Sequence, residues 1–216
     1  MKLIQILSIL LITACSAFAQ GSYPFEKQIV FQQSQNGNVQ EYPKATLLVG
    51  PAEYLGARVV SEEDAGSQYM LCDFENNKYL ILMRQFGQKI AIESPVDPKT
   101  LDVLGIKDVP VKENKKSKEE ILGAKCRAFV GEKDGQKVEV FIGKVDFPAK
   151  GLENLTKLLT EKIGIDLNDG EVLLGVRFTD PKNNSNMMIK AVEVVNKKYN
   201  LSTVGYNKMS TSGFGF

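Results

Sequence analysis

The sequence predicts an α+β fold: one β-rich domain built on an antiparallel sheet, with a few helices. Three observations predict it. Apolar and polar residues alternate over short stretches broken by Asn-Gly and Asp-Gly turn signals, the period of a pleated strand. Pro148 to Ile163 instead carries Leu152, Leu155, Leu159 and Ile163 at three- and four-residue spacing, the stripe of an amphipathic helix. Two stretches, Tyr79 to Met83 and Met187 to Val195, are apolar on both faces, so their sheet needs a cover on each side.

Ile29 to Gln33 forms the first strand. Asn36-Gly37 is a two-residue turn signal, Val39 to Val49 returns, and Gly50-Pro51 ends the return. Gln68 to Phe74 and Lys78 to Arg84 read as a hairpin through Glu75-Asn76-Asn77, with Lys89 to Ile92 as a further short strand. Asp97, Pro98 and Gly105 mark a short helix as cap, first helical position and stop, with Leu101 and Leu104 facing the core. Lys112 to Glu120 is charge-dense and is expected as a solvated loop or edge strand. Ala124, Cys126, Ala128 and Val130 then alternate with Lys125, Arg127 and Phe129. Asp134-Gly135 turns the chain, and Val138, Val140 and Ile142 continue the inward face. The Leu-striped helix follows, stopped by Gly164. Val172 to Phe178 and Met187 to Val195 form a last hairpin around Asp180 to Asn184, and residues 208–216 are expected to fray as a tail.

The first residues carry an export pattern. Lys2, the apolar run Leu3 to Ile12 and Ala17-Phe18-Ala19 match a signal peptide of residues 1–19. That run is too short for a bilayer span, which takes about 20 apolar residues. Ile12-Thr13-Ala14-Cys15 is the competing pattern, a lipobox in which Cys15 is lipidated and anchors the protein. On both patterns the product is exported to the periplasm or the outer membrane, with residues 20–207 as one domain and no transmembrane span. The chain holds 27 basic and 26 acidic residues, and loss of Lys2 makes them equal. A neutral chain has no electrostatic reason to bind nucleic acid. Of three cysteines, Cys72 and Cys126 survive processing. They either pair as a disulfide, as an oxidising compartment allows, or serve as small buried hydrophobes.

Ile121-Leu122-Gly123-Ala124-Lys125-Cys126-Arg127-Ala128-Phe129, followed by a charged turn and Lys137-Val138-Glu139-Val140-Phe141, resembles the ILGYKC strand, turn and strand of the DUF4412 family of exported bacterial proteins. The related GLPGLI family carries a similar GYKC element. Ala124 stands where the family usually has tyrosine. Asp73-Phe74-Glu75-Asn76-Asn77-Lys78-Tyr79 is similar to the family's earlier hairpin, and Gly205-Tyr206 to its common ending. The resemblance implies a lipoprotein-carrier-like fold: a strongly curved antiparallel sheet, an open half-barrel, closed on its concave side by a few helices. It brings no catalytic residues.

The chain has no histidine, which excludes Ser-His-Asp and Cys-His pairs and His-ligated zinc. Glu62-Glu63-Asp64 reads as a solvated run. Asp166-Leu167-Asn168-Asp169-Gly170-Glu171 is one residue short of a calcium loop and reads as a turn. No catalytic residue, metal or cofactor is expected, and the chain reads as non-enzymatic. The second cover of its two-faced strands is another sheet, the curled sheet itself or a ligand. The leading expectation is therefore an envelope protein that binds or carries a hydrophobic ligand, a lipid or a lipidated partner such as a lipoprotein. Tyr79, Ile81, Met83, Met188 and Val192 would line or gate its apolar face. The alternative is a structural or assembly protein with a packed core and an envelope protein as partner, for which Phe214 and Phe216 offer a docking element. The interior separates the two: a carrier needs a cavity of roughly 300 Å³ or more, whereas a structural module is packed to ordinary density.

Overall fold

The computed structural model describes residues 21–41, 44–60, 68–85, 87–97, 109–133 and 135–210. In chain order their strands are β1 (Ser22–Phe25), β2 (Lys27–Gln35), β3 (Asn38–Val39), β4 (Lys44–Val49), β5 (Tyr54–Val60), β6 (Gln68–Asp73), β7 (Lys78–Gln85) and β8 (Gln88–Ser94). Then come β9 (Val111–Glu113), β10 (Glu120–Ile121), β11 (Ala124–Lys125), β12 (Arg127–Lys133) and β13 (Gln136–Lys144). Helix α1 (Lys150–Thr160) and a 3-10 turn (Glu161–Ile163) precede β14 (Glu171–Asp180), β15 (Ser185–Val195), β16 (Tyr199–Ser202) and β17 (Asn207–Ser210).

One sheet of 13 strands holds most of them, in the order β17-β8-β7-β6-β5-β4-β2-β15-β14-β13-β12-β9, with β3 folded back on β2. Every pairing is antiparallel except β17 on β8. The two ends, β17 and β9, do not meet, so the sheet is not closed into a barrel. Tight turns set its registers. Asn36 and Gly37 both take positive φ (50° and 83°), as a two-residue hairpin turn requires. The carboxylate of Asp73 accepts the backbone and side-chain N–H groups of Asn76, which shapes the β6–β7 turn.

The expected α+β class, with several helices over the sheet, is corrected: among the described residues strand predominates and there is one short helix. The reason lies in what covers the second face. Along β6 and β7, Leu71, Leu80 and Leu82 turn away from the helix and pack with Phe25 of β1 and Leu201 of β16. The cover is thus a two-stranded ribbon, β1 paired with β16. Gly56 makes this possible, since a Cβ there would come within 2.9 Å of the Phe25 ring. On β14 and β15 the cover is the β10–β11 hairpin, whose Ile121 packs with Phe141 and Met188. Glu119, just before it, holds Arg177 (3.1 Å) and Lys190 (3.8 Å), while Arg177 also binds Glu139 (3.0 Å).

At the edges, the charge-dense stretch begins in the edge strand β9, one of its two expected forms, whereas Lys208 to Ser210 belong to β17 rather than to a fraying tail. The helix predicted after Asp97, the leader, Cys15, the run at 62–64, and Phe214 and Phe216 all lie outside the described residues. No helix among the described residues is long and apolar enough to cross a membrane.

Helix α1 shows that the sheet bends. Laid flat at about 4.8 Å per strand, β5 and β14 would stand about 19 Å apart. Yet Gly151 packs on β5 so closely that a Cβ would overlap the Tyr54 carbonyl. Five residues on, about 7.5 Å along the axis, the Thr156 hydroxyl meets the backbone N–H of Leu173 in β14 at 2.9 Å. The strands between must curl around the helix. The predicted Leu stripe is what faces them: Leu152 and Leu159 are buried, and Leu155 packs against three separate apolar clusters. Gly164, at φ 77°, ends the segment as expected.

Candidate ligand cavity

The hollow between α1 and the sheet is not filled. A cavity of about 400 Å³ lies there, walled by β2, β4, β5, β6, β7, β14 and β15, with Leu152, Leu155 and Leu159 of the helix on the remaining side. Register explains which side chains reach it. Leu47, Ala57 and Met70 form one cross-strand row, and Leu55, Cys72 and Tyr79 form the next. Their neighbours one residue along the strands point to the β1–β16 ribbon instead. Ala45 and Ala57 supply part of the space, since a larger side chain at either position would enter it.

None of the described lining residues is charged. Among them Tyr79 contributes the single side-chain oxygen, and Cys72 and Met70 contribute sulfur. Burial pushes the Tyr79 phenol up to about 12, with the neighbouring Cys72 adding to the effect. Burial likewise pushes the Cys72 thiol up to about 12. Both stay protonated at neutral pH, so the described wall residues carry no ionised group. Two larger hollows, of about 580 and 500 Å³, differ in kind. The first is a polar groove between α1 and the 164–171 turn, lined by Lys150, Glu153, Asp166 and Asp169 among others. The second lies beside Asp180 and Asn183. Polar and charged side chains line both of these, the second together with Phe178, Met187 and Ile189, so the smaller hollow with its almost wholly apolar described lining is the better candidate site.

The five residues expected to line or gate such a site part company. Tyr79 lines the cavity. Ile81 shares its face of β7 and packs beside it, and Met83 continues that face toward the strand end, but neither borders the hollow. Met188 turns to the other face of β15, into the core beneath the β10–β11 hairpin; its neighbour Ile189 reaches the cavity instead. Val192 sits where the β15–β2 register shifts, between Ala191 and Glu193, and the bulge leaves it 40% exposed. Both faces of β15 are apolar, so alternation alone could not say which one the hollow borders.

Cys72 and Cys126 are both free. Cys72 lies on the cavity face of β6. Cys126 packs against Gly143, and its thiol donates to the Ala124 carbonyl at 3.6 Å. The disulfide reading is therefore corrected in favour of two small buried hydrophobes. Burial is the main cause that raises the Cys126 thiol. The Asp166–Glu171 segment is a turn whose order comes from Glu171: it accepts the backbone N–H of Asn168 (2.7 Å), the Asn168 amide (3.0 Å) and Arg127 (2.8 Å). Among the described residues no three His, Cys, Asp or Glu side chains gather as a metal site.

The sequence reading missed β5 and with it Leu55, Ala57 and Val59, three lining residues at alternate positions. The alternation was there to see. Gly56, Ala57 and Arg58 obscured it, because small residues carry little hydrophobic signal.

No family model and no curated protein matches the chain. Among solved structures, a DUF1329 family protein from Desulfovibrio piger aligns with 90% of this chain and 90% of its own, at 10% identity and a TM-score of 0.20. A score that low carries no argument about fold or function.

Proposed function

We propose that this chain is a non-enzymatic protein of the cell envelope that binds or carries a hydrophobic ligand, a lipid or a lipidated partner, in the cavity between α1 and the sheet. One observation carries the reading: a hollow of about 400 Å³ whose described wall residues carry no charge. That volume falls in the range of small-molecule sites, and a packed structural module has no use for it. A chain of about ten methylenes buried there would contribute on the order of 8 kcal/mol, before the losses of freedom on binding. Export rests on the N-terminal pattern and on the resemblance to exported DUF4412 proteins. The lack of histidine favours a role without catalysis.

Native mass spectrometry of the protein isolated from its own envelope, before and after organic extraction, tests the reading. A bound species of lipid mass that extraction removes is the expected result. A bare protein mass under gentle conditions would instead favour a structural or assembly role and a search for protein partners.

A further inference from the structure

The polar chemistry of the cavity is confined to one spot. Tyr79 brings the only side-chain oxygen among the described lining residues, and none of their side chains brings a nitrogen. The residue is 5% exposed. Among the described residues its hydroxyl makes no hydrogen bond, yet none of their fully buried side-chain N or O atoms lacks a partner. The hydroxyl is therefore within reach of water, on a residue that lines the hollow. A purely apolar ligand that displaces the water there leaves the donor unmet, and an acceptor brought by the ligand takes the water's place. The donor is always available, because burial holds the phenol protonated far above neutral pH.

We infer that the occupant is an acyl ester or amide, with its chain in the apolar hollow and its carbonyl oxygen accepting the hydroxyl proton of Tyr79. This rests on the reading of the hollow as a ligand site. A free fatty acid fits less well, because its carboxylate would be drawn out of water with no cation among the described lining residues to offset the cost. A plain hydrocarbon fits less well too, because it leaves the phenol unmet.

The test compares decane, methyl decanoate and decanoate as displacers of the fluorescent probe N-phenyl-1-naphthylamine. The purified protein and its Tyr79→Phe variant are both used, above neutral pH. Methyl decanoate is expected to bind about three- to tenfold more tightly than decane, the range a net hydrogen bond supplies. Tyr79→Phe should abolish the ester's advantage over decane, because the variant has no donor for the ester to meet or for decane to leave unmet. If the ester's advantage survives in Tyr79→Phe, or if decanoate displaces the probe as well as the ester does, the assignment to Tyr79 and to a neutral carbonyl fails while the ligand site stands. If the probe itself does not bind and none of the three compounds is taken up, the ligand site fails together with the assignment.

Discussion

Thr156 accepts the backbone N–H of Leu173 at 2.9 Å, so a helix side chain completes the ladder where a strand leaves off. On one side Leu173 pairs with Ile142 of β13. On the other, β15 pairs with β14 only from Gly175 onward. The helix occupies the gap. Thr156 is fully buried and its hydroxyl also donates to the Leu152 carbonyl at 2.8 Å, so both of its hydrogen-bonding roles are in use. Leu173 lines the cavity as well, and this one hydroxyl therefore ties the helix to a wall of the site.

Replacing Thr156 by valine keeps the shape and removes the oxygen. The Leu173 N–H then stays buried without a partner, and the fold should lose about 1–3 kcal/mol. Thr156→Ser should keep most of that stability. Urea denaturation of the three proteins measures it. A Thr156→Val variant as stable as the parent would show that the helix is held by apolar packing alone.

Adjacent residues on β5 separate binding from stability. Ala57 faces the cavity, and Gly56 faces the Phe25 ring across the sheet. Ala57→Phe should occupy the hollow and weaken binding of an apolar fluorescent probe by at least about tenfold, a change of about 1.4 kcal/mol. Gly56→Ala should lower stability by about 1–3 kcal/mol through overpacking and leave probe binding near the parent value. Parent-level binding in Ala57→Phe would place the probe elsewhere on the protein.

How far the sequence led can be read from these same residues. The Leu stripe of α1, its stop at Gly164, the Asn36-Gly37 turn and the strands from Gln68 to Ile92 and from Arg127 to Val195 were legible, because each is a local pattern. The two-faced run around Tyr79 announced that both sides of the sheet were covered. It could not announce by what, because Phe25 and Leu201 lie far from it in sequence and form a ribbon only with one another. The site was legible in kind, an apolar face, and at Tyr79. Met188 and Val192 failed as guides because a sheet apolar on both sides gives alternation no preferred face, and because a bulge at Val192 breaks the register. The hollow itself is written in small residues, Ala45, Ala57 and Gly175, which pattern reading passes over.

The two free thiols give a direct check of the packing. With Cys72 pushed up to about 12 by burial and Cys126 also raised, both should react with Ellman's reagent far more slowly in the native protein than in urea. Both should be available once the chain is unfolded without reductant. Loss of these two thiols under that condition would mean that they pair in the folded protein.

Glu171 should make stability depend on pH in the acid range. Burial alone would raise its carboxyl, but the Asn168 backbone and side-chain N–H groups and the Arg127 guanidinium outweigh that and hold it below the usual carboxylate range. In the unfolded chain a glutamate titrates near about 4.3. The folded protein therefore keeps the charged form to lower pH, and the stability it gains is complete above the unfolded value and is lost as pH falls through the folded one. Glu171→Gln should cost about 1–3 kcal/mol at neutral pH, since charge-assisted bonds to Arg127 and Asn168 are weakened. The gap between parent and variant should narrow as pH drops below about 5, because protonation removes from the parent what the substitution removed already. Denaturation midpoints of the two proteins across a pH series decide it. Other carboxylates titrate alike in both, so the difference isolates Glu171, and a gap that stays constant down to the acid limit would mean that this carboxylate is not held charged by Arg127 and Asn168.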